Sequence, residues 1–152
     1  MSRGMNWNSL PKKYQKKNKN KKVYKPKDGE VKLVIPGELP TQNEIINSSK
    51  AHWTNYREMK NTWEDTVAWY AEKSQIPFFQ SVKLKITYYR TNKRYDPDNI
   101  VAAKKIILDG LQNVGVLEND GWKEIKGFNE KWEVDKEEPR TEIIFEGVNN
   151  DN

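Results

Sequence analysis

Between Arg94 and Trp122 the chain brings two aspartates, an asparagine, a predicted helix and a third aspartate into one short supersecondary unit. Asp96-Pro97 is a helix start: aspartate suits the N-cap, and proline suits the first helical position, where its missing N–H removes no bond. Gly115 is a helix stop, since it takes the left-handed conformation that ends many helices. Between them Ile100, Ala103, Ile107, Leu111 and Val114 fall within a narrow arc at about 100° per residue, so one face is buried. Asp98, Ala102, Lys105 and Asp109 fall together on the opposite side, and Lys104 lies beside the buried arc. After Gly115 the short apolar run Val116-Leu117 delivers Glu118, Asn119 and Asp120 back toward the helix. The spacing therefore predicts one helix over 97–114 and a reversal that returns Asp120 toward Asp96 and Asp98.

Two readings of these residues stand side by side. In the first they serve the fold: Asp96 caps, Asp98 favours the helix dipole, Lys105 and Asp109 pair at i,i+4 on a solvated face, and Asp120-Gly121 is a turn. In the second, three carboxylates converge on a divalent metal, and small Ala102 leaves room for a substrate. The composition narrows the metal. The chain has no cysteine and one histidine, His52, which excludes a disulfide framework, a thiolate zinc site and a histidine-rich centre. Oxygen ligands remain, favouring magnesium, manganese or calcium. No serine–histidine or cysteine–histidine arrangement and no glycine-rich phosphate loop competes with this site.

Charge is unevenly placed. Residues 1–30 hold ten basic residues against Asp28 and Glu30, a net of +8 in a chain whose net is +5, which leaves −3 for residues 31–152. The first 30 residues read as a disordered basic arm, with Lys12, Lys13, Lys16 and Lys17 among polar neighbours and almost nothing to bury. Such an arm is either a solubilising tail or a phosphate-binding segment whose effect fades with salt. Trp7, Tyr14 and Tyr24 offer scattered stacking surfaces. No apolar run reaches membrane-spanning length and the start lacks a signal-peptide core, so a soluble, cytoplasmic protein is expected.

The remainder reads as one domain over 31–148, with a short tail at 149–152. Residues 31–36 alternate as a strand ending at Pro36-Gly37. A loop follows, in which Thr41 and Glu44 have capping-box spacing. Over 54–75 a stripe of Tyr56, Met59, Trp63, Val67 and Tyr70 marks a helix whose aromatics belong to a core, closed by Pro77. Val82, Leu84, Ile86 and Tyr88 share one face of a strand over 82–90, with Lys83, Lys85, Thr87 and Tyr89 on the other. That polar face is either solvated or tracks a nucleic-acid backbone. Strands at 123–134 and 140–146 flank a turn at Lys136-Glu137-Glu138-Pro139. The order strand–helix–strand–helix–strand–strand predicts an α/β (α+β) domain, helices packed on one mixed sheet.

Asp96-Pro97-Asp98-Asn99, Lys105, Asp109-Gly110-Leu111 and Asn119-Asp120-Gly121-Trp122 together resemble the RusA family of Holliday-junction resolvases. The resemblance covers residues 94–125 and extends more loosely to the first strand and Pro40-Thr41-Gln42-Asn43. The chain departs from the family pattern at two points. Asn119 stands at the first of two acidic positions, and Ala102 stands where the family lysine usually sits, so that role falls to Lys105 or to Lys104. The resemblance implies a RusA-like fold, a homodimer, branched DNA as substrate, and Mg2+ or Mn2+ held by Asp96, Asp98 and Asp120. It further implies that Lys105 offsets charge on the cleaved phosphate. Asn99, Lys104, Arg94, Lys93 and the arm lysines are expected to contact DNA. A nuclease for other branched DNA and a non-catalytic nucleic-acid-binding protein are the alternatives.

Overall fold

The computed structural model describes residues 21–148, and one of its inner strands is the one whose alternation is clearest in the sequence. Lys12, Lys13, Lys16, Lys17, Trp7, Tyr14 and the 149–152 tail lie outside the described residues. The elements are β1 (Val31–Pro36), α1 (Gln42–Ala51), α2 (Trp53–Lys73), β2 (Val82–Arg90), α3 (Pro97–Val101), α4 (Lys104–Asn113), β3 (Ile125–Val134) and β4 (Arg140–Gly147). The four strands form a mixed sheet in the order β1-β4-β2-β3, the expected α+β arrangement. β4 runs antiparallel to both β1 and β2, whereas β3 runs parallel to β2, reached by the α3–α4 crossover.

Alternation decides which face is covered. Leu33 and Ile35 of β1, Val82, Leu84, Ile86 and Tyr88 of β2, and Ile143 and Phe145 of β4 are buried with Val67, Ala68 and Ala71 of α2 and Ile107 and Leu111 of α4. Lys83 and Lys85 stand exposed on the opposite face. There Lys32 pairs with Glu142, so that face carries both signs of charge. Trp63 and Tyr70 pack against the core, in keeping with the stripe along α2.

The α2–α4 crossing is close because of Gly110. A Cβ there would sit 2.7 Å from Val67 Cβ and 2.9 Å from the Glu64 carbonyl oxygen, both inside van der Waals contact. Gly115 takes φ 74° at the end of α4, as its helix-stopping role requires.

Four features differ from the sequence reading. α1 begins inside the expected loop over 38–44 and continues through residues given no element: the capping box forms, with Glu44 N donating to Thr41 Oγ1 (3.3 Å) and Thr41 N to Glu44 Oε1 (3.1 Å), but the helix behind it has no clear apolar stripe. The single helix expected over 97–114 is interrupted after Val101, with Ala103 N donating to Ile100 O in a tightened turn. No proline or glycine marks the break. The 136–139 turn lies where expected, but the strands it joins are not sheet neighbours: it carries the chain past the end of β2, where Asp135 N donates to Arg90 O (2.8 Å), and β4 inserts between β2 and β1.

The fourth correction concerns the arm. The charge of residues 21–30 reads as part of the arm, yet they are docked on the domain. Val23 bridges to Phe78, and Tyr24 stacks on Phe79 at 4.6 Å, which stacks in turn on Phe145. Lys21 Nζ contacts Glu72 at 2.7 Å and donates to the Ile76 carbonyl. The aromatic partners supply burial that a count of lysines conceals.

Candidate active site

The start of α3 places two aspartates at the surface. Asp96 holds the N-cap position with extended backbone, and its carbonyl accepts from Asn99 N and Ile100 N, but its side chain makes no capping bond. The capping role that would explain Asp96 is thus not performed by its carboxylate. Asp98, in the first turn, is exposed as well. Asn99 is engaged: its Oδ1 accepts from Asn43 N at 3.2 Å, tying α3 to the start of α1.

Asp120 is returned to the helix, but to its lysine. Lys105 Nζ lies 3.1 Å from Asp120 Oδ2 and 3.2 Å from Asp109 Oδ1, and those two carboxylates hold its ammonium above the ordinary lysine range. Asp109 also faces Lys60 at 3.8 Å, and Lys60 lies 3.5 Å from Glu64. Burial, followed by the neighbouring Asp109, pushes the Glu64 carboxyl up, with Lys60 opposing. Glu64 Oε2 is buried with no hydrogen-bond partner among the described residues. The result is a line of alternating charge: Asp120, Lys105, Asp109, Lys60, Glu64. A cleft of about 180 Å³ opens beside it, lined by Ala102, Lys105, Lys60, Tyr56 and Met59.

Asn119, at the departure from the family pattern, accepts from Asp120 N through its own Oδ1 at 2.8 Å, so it shapes the turn that presents Asp120. Glu124, buried, accepts from Gly121 N and closes that turn. Lys104 points elsewhere. Its Nζ contacts Glu130 at 3.0 Å and sits 4.3 Å from the Phe128 ring centre, which ties α4 to β3. Glu130 also accepts from the Tyr88 hydroxyl, and burial together with that bond raises the phenol well above its usual range. Of the two lysines, the structure brings Lys105 and not Lys104 to Asp120.

Arg94 lies over the Tyr95 ring at 5.3 Å, and Lys93 lines a second cleft at the end of β2. Arg90 lies at the same end. It continues the inward phase of Val82 to Tyr88, is only 8% exposed, and donates to Leu39 O at 2.9 Å. Glu38 supports it: burial alone would raise the Glu38 carboxyl, but bonds from Thr91 and the nearby Arg90 hold it low. Sequence reasoning passed over Arg90, although an arginine in the buried phase of a strand was a visible signal.

In kind, exposed and half-buried carboxylates suit Mg2+ or Mn2+, which take oxygen ligands and retain several waters. In placement they do not yet meet. Among the described residues no group of three or more histidine, aspartate or glutamate side chains is arranged to hold a metal ion. The expected convergence of Asp96, Asp98 and Asp120 is therefore absent from this arrangement, and the Asp120 carboxylate is paired with the Lys105 ammonium instead. Among the described residues no helix is long and apolar enough to cross a membrane. No protein-family model matches the chain, and no curated protein matches it.

Proposed function

We propose that the chain is a metal-dependent endodeoxyribonuclease that resolves four-way DNA junctions by paired phosphodiester cleavage in recombination or repair, as its resemblance to the RusA family implies. One observation carries the reading: Asp96 occupies a helix start without capping it, leaving an exposed carboxylate next to exposed Asp98. Mg2+ or Mn2+, held by Asp96, Asp98 and Asp120, would polarise the phosphate and supply a nucleophilic water. Lys105 already stands at Asp120 and offers positive charge to an oxygen that gains negative charge as the ester breaks. Because Asp120 is shared with Lys105, its carboxylate has to leave the ammonium to join the other two. Asn99, through Asn43, fixes the first turn of α3. Lys93, Arg94 and the arm lysines Lys12, Lys13, Lys16 and Lys17 contact phosphates, which position the substrate without reading its sequence.

The resemblance also implies a homodimer whose two sites match the two-fold symmetry of a four-way junction, and a cytoplasmic setting for the reaction is part of the proposal. The test is incubation of the full-length protein with a synthetic four-way junction and Mg2+. Symmetric paired nicks are expected, with Asp98→Asn slowing them on the order of a hundredfold or more. Equal cutting by Asp98→Asn, or no paired nicks, defeats the proposal. Junction binding indifferent to metal, without cleavage, would identify a nucleic-acid-binding protein instead. Preferential cutting of flaps would identify a nuclease for other branched DNA.

A further inference from the structure

At the C-terminal end of β2 a cleft of about 390 Å³ opens between the loop before α3 and the edge strand β3. Its volume lies within the roughly 300–1,000 Å³ of ordinary ligand pockets. Ile100 contributes a buried apolar wall, and Tyr95, half-buried, another. Trp132 and Val134 line it from β3, on the face they share with their pairing partners Tyr88 and Arg90. Unlike those partners, Trp132 stays 48% exposed. Cations border these rings: Arg90 lies 5.9 Å and Arg94 5.3 Å from the Tyr95 ring centre, and Lys93 lines the cleft itself.

Aromatic surface bordered by cations matches a flat heterocycle carried on an anionic backbone. A base pair inside a duplex presents only its edges, so the ring that enters has to be unpaired. Asp96 lines the same cleft, which puts the entering nucleotide beside the candidate carboxylates. We propose that this cleft receives one unpaired nucleobase of the bound DNA strand, stacked on Trp132, with the adjacent phosphates on Lys93 and Arg94. The proposal deepens the nuclease reading and rests on it for the identity of the strand. It assigns that reading a substrate class: DNA with an unstacked nucleotide next to the cut.

The experiment measures binding, not cleavage. Full-length protein in metal-free buffer is titrated with a labelled single-stranded oligonucleotide and with an abasic strand of equal length and charge. The base-bearing strand is expected to bind about tenfold tighter. Trp132→Ala removes that preference and Trp132→Phe keeps it. Equal affinity of the wild-type protein for both strands, or a preference that survives Trp132→Ala, overturns the proposal. So does a Trp132→Ala chain that changes oligomeric state while keeping the preference, which would make Trp132 an interface residue between copies. Base preference that depends on Trp132, in a protein that cuts no junction, supports the cleft and sinks the nuclease reading separately.

Discussion

Acidic side chains gather in two regions, and the fold uses them in opposite ways. At the start of α3, Asp96 and Asp98 are exposed, and Asp96 leaves its own helix uncapped. Along the α2–α4 seam, Asp109, Glu64 and Asp120 each face a lysine, and their alternation with Lys60 and Lys105 joins two helices to the returning loop. In the first region neither carboxylate is paired with a lysine or arginine among the described residues. The second already contains its cations. Asp120 belongs by motif to the first and by contact to the second, so the number of carboxylates in a stretch says little about how each is used.

The largest effect that separates the regions is metal-linked stability. If the α3 aspartates bind Mn2+, the ion at a hundred times its Kd stabilises the fold by about 2.7 kcal/mol. Thermal unfolding with and without Mn2+ should show that gain vanish in Asp96→Asn and persist in Asp109→Asn. A gain that survives Asp96→Asn breaks the comparison.

Next in size is the packing of the seam. Gly110→Ala places a Cβ against Val67 and the Glu64 carbonyl, and overpacking of that kind costs about 1–3 kcal/mol, against which alanine's better helix propensity returns about 1. Urea unfolding should show a lower midpoint at unchanged slope. A midpoint equal to or above wild type means that the helices separate more easily than their contact implies.

The smallest effect is electrostatic and depends on pH. The Glu64 carboxyl is raised above its ordinary value of 4.5 in the folded chain, so the folded state holds its proton more tightly than the unfolded state does. That stabilisation is present below the ordinary value and is lost as pH climbs through the raised one. Glu64→Gln, which cannot ionise, is therefore expected to melt slightly higher than wild type at pH 7, with the difference shrinking in acid. A lower melting temperature at pH 7 shows that the contact with Lys60 outweighs burial and the repulsion from Asp109.

Much of the fold was legible because it is written in local periodicity. The two-residue alternation of 82–90 and the buried arc from Ile100 to Val114 appear where expected, Gly115 ends α4, and the stripe along α2 reaches the core at Trp63, Val67 and Tyr70 while Tyr56 and Met59 line the smaller cleft. α1 was not legible, since Gln42 to Ala51 carries little apolar pattern and its capping box alone did not announce a helix. In the candidate site, the separation of the two lysines was legible and the carboxylate contacts were not. The helical wheel separated Lys105 from Lys104, and the structure sends them to Asp120 and Glu130 respectively. The pairing of Asp120 with Lys105, and the absence of a three-carboxylate group among the described residues, depend on how a loop returns across a helix.

By itself the sequence determined the four strands, the long helix α2 and the buried face of the α3–α4 unit, because hydrophobic period and helix-end residues act within a few positions of one another. Only the tertiary structure decided that β4 lies between β1 and β2, that residues 21–30 dock through Tyr24, and that Trp132 borders a cleft with Asp96. Those outcomes come from contacts between residues far apart in the chain, where the burial of one surface selects among arrangements that local pattern leaves equal.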